Sequence, residues 1–268
     1  MKKTNGKTKK NQTENQTSLR TKLLICLTVT IVIITIVYFG TVFLYRQIFS
    51  ENKRFNVTKV IVSSNGYWNN RNNDLALFCS IKLNSDNIWN LSLNDLQKKV
   101  MRLPGVESCD VIRVIPDTIE FIISERVPRA KLADYDNILV DSETYVIPKS
   151  KAMAHSPQLP IILGLPQRMQ LQTNNKVPEL DFAMYLIMKT IRDFSEFEIR
   201  AVDVKNPDYY TILLRYNGGK TKKVIIPVDK TSVDIKFIAL RTAMSQAAIK
   251  NVEYKVFDLS FKDRVICK

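Results

Sequence analysis

Histidine occurs once in this chain, at position 155, inside a polar stretch. A lone imidazole in a polar loop cannot complete a Ser-His-Asp set. Nor can it hold a metal without partners at ligand spacing. Glycine is scarce, with seven in 268 residues, and none forms a phosphate-cradling loop. No pair of carboxylates is marked out for acid–base work. No catalytic residue, metal ligand or cofactor site can therefore be named, and the expectation is a protein that is not an enzyme and takes no small-molecule substrate. Cysteine is also sparse: Cys26, Cys79, Cys109 and Cys267. Three of these lie outside the apolar run described next, and an odd number argues against a disulfide framework. Cys79 and Cys109 can pair in an oxidising compartment; otherwise they are small buried apolar residues. Internal repeats and heptads are absent.

Charge is missing from Leu23 to Tyr45, and this run organises the rest. As a helix rising about 1.5 Å per residue, it crosses a hydrocarbon layer about 30 Å thick. Its threonines can return their hydroxyls to helix carbonyls. Tyr38 and Tyr45 sit toward the far end, where amphipathic rings favour the interface. Leu23 and Tyr45 are thus expected to bound a membrane anchor. Ahead of it stand Lys2, Lys3, Lys7, Lys9, Lys10, Arg20 and Lys22 against Glu14 alone. Behind it Arg46, Glu51, Lys53 and Arg54 are mixed, so residues 1–22 are expected in the cytoplasm and the remainder outside. A cleaved signal peptide is the alternative, but Phe43-Leu44-Tyr45-Arg46 lacks the small residues of a cleavage site. Much of the net charge of +14 lies in that tail. Nucleic acid is therefore not the expected partner; anionic head groups are. Rich in Asn, Gln, Thr and Lys, the tail is expected to be disordered.

About 220 residues follow, enough for one large or two small domains. After a polar connector, 46–55, residues Val57–Val62 read as a strand that Ser64-Asn65-Gly66 ends. Leu75–Ile81 is a short helix. Asn87–Leu103 shows helical spacing at Leu93, Leu96, Val100 and Leu103, with Ser92 as N-cap. Pro104-Gly105 stops it. Val106–Ile115 and Ile119–Ser124 form a hairpin around Pro116-Asp117. The order β-α-α-β-β is a small α+β module. Beyond it come a hairpin over Ile138–Ile147, a strand within Leu159–Gly164 and a polar loop over Gln167–Lys176. An amphipathic helix from Pro178 to Phe194 carries Leu180, Met184, Ile187 and Ile191 on one stripe. Strands over Ile199–Lys205, Tyr209–Tyr216 and Lys222–Ile226 make a meander. A last helix covers Thr231–Ile249, opening on a variant capping box at Thr231–Asp234. Its buried side is assigned to Ile235, Ile238 and Thr242, with Phe237, Leu240, Met244 and Ala248 alongside. Val256–Phe261 closes the chain as a strand, followed by Arg264-Val265-Ile266.

Several short motifs occur in register. They are Leu103-Pro104-Gly105-Val106, Cys109-Asp110-Val111-Ile112-Arg113, Pro116-Asp117-Thr118-Ile119 and Glu125-Arg126-Val127-Pro128-Arg129-Ala130. Behind a single anchor, this series resembles the POTRA domains of the FtsQ/DivIB bacterial cell-division proteins. Leu139-Val140-Asp141 with Val146, Leu159-Pro160 with Gly164, and Asp258, Leu259, Phe261, Arg264 and Val265 continue the resemblance. Cys109 stands where alanine is usual, Gly105 where an aromatic is common, Thr144 where glycine is usual and Ser260 where a base is usual. A tight φ at Thr144 is less easy than at glycine, so that turn is expected to differ. Glu125 and Arg126 read most simply as a surface ion pair worth under about 1 kcal/mol.

The resemblance implies an α+β fold: a transmembrane helix at 23–45, a POTRA domain at 56–130, and a mixed β-sheet domain with two packed helices at 131–268. It implies a divisome scaffold in the bacterial inner membrane at the septum, linking early and late division proteins. The implied partners are FtsB- and FtsL-like single-pass proteins and the septal peptidoglycan synthesis machinery. Strand addition at the C-terminal edge is the implied mode, with Asp258, Leu259, Phe261, Arg264 and Val265 as contact residues. Alternatively those residues merely cap the edge and close the core. A POTRA-containing chaperone for exported polypeptides is the other functional reading, and an anchored enzyme the third.

Overall fold

The computed structural model describes residues 7–166, 171–262 and 264–268. The first residues of the expected tail, and 167–170 of the expected loop, lie outside these. The chain gathers into two compact units. One holds residues up to Lys59 with Lys82–Leu91 and Arg113–Thr118; the other holds Val60–Ile81, Ser92–Ile112 and Ile119–Lys268.

The first unit is led by α1, Lys7–Tyr45. It starts well before Leu23, which corrects the expectation of a disordered tail from Lys7 onward. Adding residues to an existing helix avoids the nucleation cost, and Lys, Gln and Glu are good helix formers. The stretch Leu24–Ser50 is long and apolar enough to cross a membrane. Within it Thr28, Thr30, Thr35 and Thr41 donate their hydroxyls to carbonyls one turn back, at 2.8–2.9 Å for the shorter contacts. These bonds satisfy the hydroxyl donors of the four threonines within the helix. The expected connector is partly helical: a π-turn at Arg46–Ser50 continues α1, and a 3₁₀ turn follows at Lys53–Phe55. Asn52 caps that turn by accepting from the Arg54 N–H at 3.0 Å.

In sequence order the next elements are β1 (Lys59–Ser64), α2 (Asn72–Cys79), α3 (Leu93–Val100), β2 (Val106–Val114) and β3 (Thr118–Glu125). The strands form a sheet in the order β1-β3-β2. This is the β-α-α-β-β module expected. Ser92 does cap α3, accepting from the Asp95 N–H at 3.3 Å. The helix begins there and not at Asn87, because Asn87 is drawn into other hydrogen bonds. Leu75, Cys79, Leu96 and Val100 pack with Val106, Cys109, Phe121 and Ile123 as the core, all buried.

The larger sheet is built from β4 (Ala130–Leu132), β5 (Ile138–Val140), β6 (Val146–Pro148), β7 (Ile161–Leu163), β8 (Phe197–Asp203), β9 (Tyr209–Tyr216), β10 (Thr221–Pro227), β11 (Val256–Asp258) and β12 (Ile266–Cys267). Its order is β12-β11-β10-β9-β8-β7-β4-β5-β6. Asn217 and Gly218 both take positive φ, 46° and 69°, in a tight turn between β9 and β10 that the Gly219 N–H closes by donating to the Tyr216 carbonyl at 2.9 Å. Two helices, α4 (Asp181–Asp193) and α5 (Val233–Ile249), bury one side each into this sheet's core. Leu180, Met184 and Ile187 are buried as expected, whereas Ile191 is exposed.

Candidate functional site

The site expected at the C-terminus divides in two. Asp258 and Leu259 are structural. The register places β11 between β10, to which it runs parallel, and β12, to which it runs antiparallel. Val256–Asp258 is thus an interior strand, where an open terminal strand was expected. Leu259 is fully buried and donates its N–H to the Ile225 carbonyl at 2.8 Å. Asp258 Oδ1 accepts from Ser260 N–H at 3.0 Å and from its hydroxyl at 2.6 Å. That turn ends β11 and sends the chain outward, so the strand stops three residues before Phe261.

Phe261, Arg264 and Val265 do come together. Phe261 is 41% exposed, and the Arg264 guanidinium lies over its ring, 5.7 Å from the centroid. The Phe261 carbonyl accepts from Lys236 Nζ, and the Lys236 side chain is buried beneath the segment. Between this segment and the outer side of α5 runs a groove of about 620 Å³, whose lining includes Ile235, Ala239, Thr242, Phe261, Val265 and Cys267.

The edge of the sheet is β12. Lys268 exchanges both backbone hydrogen bonds with Val256, each at 2.9 Å. In an antiparallel ladder such pairs alternate with pairs that exchange none. Cys267, opposite Phe257, is therefore a pair of the second kind. Its N–H and C=O point away from β11, toward the open side.

Sequence reasoning missed the groove's helical wall. Ile235 and Ile238 were assigned to the buried side of α5. The structure buries Phe237, Leu240 and Met244 as expected, adds Val233, Lys236 and Ala247, and leaves Ile238, Thr242 and Ala248 exposed and Ile235 68% exposed. Ser232 does not cap the helix with its side chain; Asp229 accepts from the Thr231 N–H and hydroxyl nearby. A signal was present: apolar residues lie on more than one side of α5, with Ile235, Ile238 and Ile249 opposite Val233, Phe237, Leu240 and Met244, so the helix has more than one apolar face to cover.

The Glu125-Arg126 reading also needs correction. Glu125 is 1% exposed. Its carboxylate accepts from the Tyr67 N–H at 2.8 Å, the Trp68 N–H at 2.7 Å and the Ser64 hydroxyl. Gly66 permits this approach, since a Cβ there would lie 2.6 Å from Glu125 Oε2. Arg126 donates to Asp141 Oδ2 at 2.7 Å, with side chains 10% and 6% exposed, and its guanidinium stacks 3.5 Å from the Tyr145 ring centroid. Neither partner of the motif is a surface ion pair. Backbone N–H groups that the fold turns inward needed an anion, and the hairpin after β5 supplied Arg126 with a carboxylate.

At the anchor, the backbone of Leu23 is helical. Tyr45 is exposed and stacks on Phe49 at 5.3 Å. Among the described residues no cluster of His, Cys, Asp or Glu could hold a metal ion. Cys79, Cys109 and Cys267 are free thiols. Burial pushes the Cys79 thiol up to about 11. Burial, aided by Asp110, pushes Cys109 up to about 12.

Residues 55–126 match the family described as POTRA domain, FtsQ-type. A stretch of 125 residues is 26% identical to the cell division protein FtsQ of Koribacter versatilis (strain Ellin345), covering 46% of this chain and 36% of that protein. The chain thus spans little more than a third of that relative's length. Residues 55–126 are thus similar to FtsQ-type POTRA domains, and part of the chain is similar to a cell division protein FtsQ.

Proposed function

We propose that this protein is a membrane-anchored, non-catalytic scaffold of bacterial cell division. In this reading α1 spans the inner membrane once, with its N-terminus in the cytoplasm and the POTRA and β domains outside, at the septum. The tail's bases against a single acid support that orientation. The scaffold binds FtsB- and FtsL-like single-pass proteins and so brings in septal peptidoglycan synthesis.

One observation carries the binding mode: an open edge, β12, lies beside a groove that mixes apolar side chains such as Ile235, Phe261 and Val265 with the bases Lys250, Lys262 and Arg264. A partner strand would pair with the outward N–H and C=O of Cys267. Its alternate side chains, or a following helix, would enter the groove between α5 and Phe261. Phe261, Arg264 and Val265 are the contact residues of this reading. Asp258 and Leu259 act one step removed, by fixing where the segment leaves the sheet.

The test is association of the full chain, in detergent, with the FtsB-like partner. Phe261→Asp places a charge in the groove and is expected to weaken binding at least tenfold, since a buried anchor commonly contributes about 2 kcal/mol or more. Cys267→Pro removes the outward donor and should weaken binding likewise. Unchanged affinity in both folded variants removes this site.

A further inference from the structure

The first unit carries a feature that strand addition does not use. At the end of the span, Tyr45, Phe49, Phe55 and Trp89 form a connected aromatic cluster with centroid distances of 5.3–6.0 Å. Hydrogen bonds fasten loop 82–91 to the end of α1. Asn87 Nδ2 donates to the Phe49 carbonyl at 2.8 Å, and Asn90 Nδ2 donates to the Ser50 carbonyl at 3.3 Å. Arg113 in turn donates to the Ile88 and Leu91 carbonyls at 2.8 and 2.7 Å, and lies over the Trp89 ring. The β2–β3 hairpin tip begins one residue later.

That tip is apolar and bare. Ile115 is 59% exposed, Val114 is also exposed, and so is Leu83 on the neighbouring loop. In the same unit Lys53, Arg54, Lys59 and Lys82 are all exposed. Outside the helix α1, the unit's segments carry six bases, Arg46, Lys53, Arg54, Lys59, Lys82 and Arg113, against Glu51, Asp86 and Asp117. Aromatic rings at the end of a span, apolar side chains beside them and a surplus of cations match the chemistry of a bilayer interface.

We propose that this unit seats on the membrane that α1 crosses: Ile115, Val114 and Leu83 enter the head-group layer, and Lys53, Arg54 and Lys82 bind anionic lipid. The anchor is then a fixed post and not a loose tether. The inference rests on the reading of α1 as a span.

The chain has two tryptophans, Trp68 and Trp89. Replacing both by Phe and adding Ile115→Trp gives a single reporter at the tip. The full chain is reconstituted into vesicles of phosphatidylcholine and phosphatidylglycerol with acyl chains brominated near the head group. Expected are a blue-shifted emission and quenching at least threefold above that of a reporter at exposed Leu213. A gentler variant, Trp68→Phe with native Trp89, is expected to be quenched as well. Solvent-like emission at position 115, with quenching equal to the Leu213 reference, overturns the proposal; a protein covering this face in place of lipid gives that result. Unchanged quenching in pure phosphatidylcholine, and in Lys53→Glu/Arg54→Glu/Lys82→Glu, overturns the anionic-lipid contact. A reporter at Phe39 separates the premises, because it is quenched wherever α1 is embedded and stays unquenched if the span itself is wrong.

Discussion

Two short charged motifs, Glu125-Arg126 and Arg264 with its neighbours, look alike as text and differ in the fold. At the junction after β3, both charges are enclosed: Glu125 satisfies inward backbone donors, and Arg126 meets Asp141 under the Tyr145 ring. At the chain's end, Arg264 is exposed and lies over the ring of an exposed Phe261. The first arrangement holds the structure. The second leaves its side chains exposed. What separates them is burial, and burial depends on segments far away in sequence: Asp141 lies 15 residues from Arg126, and Trp68 lies 57 from Glu125.

The sharpest way to break this contrast is Asp141→Ala. It strands a buried guanidinium, and losing one partner of a buried pair costs about 3–5 kcal/mol. Asp141 Oδ1 also accepts from the Glu143 and Tyr145 N–H groups at 2.9 and 2.8 Å, so the hairpin loosens too. Urea denaturation of the full chain in detergent should show a loss of that size. A loss below about 1 kcal/mol would return the junction to the class of surface pairs.

The cysteines extend the same comparison to pH. Cys79 and Cys109 lie in the core, with thiols at about 11 and about 12, whereas Cys267 is half-buried in β12 and burial raises it less. The ordinary thiol value is 9.0. The folded chain thus holds these protons more tightly than the unfolded chain. Stability from the core thiols is complete below pH 9 and falls as pH rises through about 11–12. Replacing both core cysteines by alanine should remove that alkaline slope, read from melting at pH 8, 9.5 and 10.5. Alkylation of the folded chain at pH 8.5 should reach Cys267 well before either core thiol.

Much of this was legible in the sequence, and for identifiable reasons. The span needs only composition. The β-α-α-β-β order follows from the Ser92 cap, the Pro104-Gly105 stop and the hairpin around Pro116, which are all local signals. The meander β8–β10 was equally plain, because Asn217-Gly218 dictates its turn. Three features were not legible. A two-residue strand, β12, carries no period, so the outer edge was assigned to Val256–Phe261. The two sides of α5 differ too little in apolar content to show which one the sheet covers. The burial of Glu125 and Arg126 depends on pairings that no local window contains.

Thr144 gives a smaller and opposite effect. It keeps the left-handed φ, 68°, that glycine would take at this turn, and it is 1% exposed. Hydrogen bonds from Thr144 N–H to the Asp141 carbonyl and from Val177 N–H to the Thr144 carbonyl fix this turn. A β-branched residue held there stores about 1–3 kcal/mol. Thr144→Gly releases that strain, gives up a long hydroxyl contact to Asp181 at 3.4 Å, and adds freedom to the unfolded chain. The expected net is a gain of about 1 kcal/mol in thermal unfolding. A loss instead would mean that the Thr144 methyl and hydroxyl hold the junction more strongly than its backbone is strained.

The smallest effect belongs to the terminal segment, and its smallness is the point. Arg264→Ala removes a cation from over the Phe261 ring at an exposed site, a contact worth about 0.5–1 kcal/mol at most. Melting should move by no more than a degree or two. If the segment serves only the fold, partner affinity should hold equally steady. If it is a binding surface, affinity should fall several-fold while stability barely changes, because an interface contact is absent from the free protein's own unfolding equilibrium. Asp258→Ala is the control. It frays the turn that ends β11 and should lower stability and affinity together. A variant that separates the two readouts at position 264, beside one that joins them at position 258, distinguishes a surface kept for a partner from one that only closes the sheet.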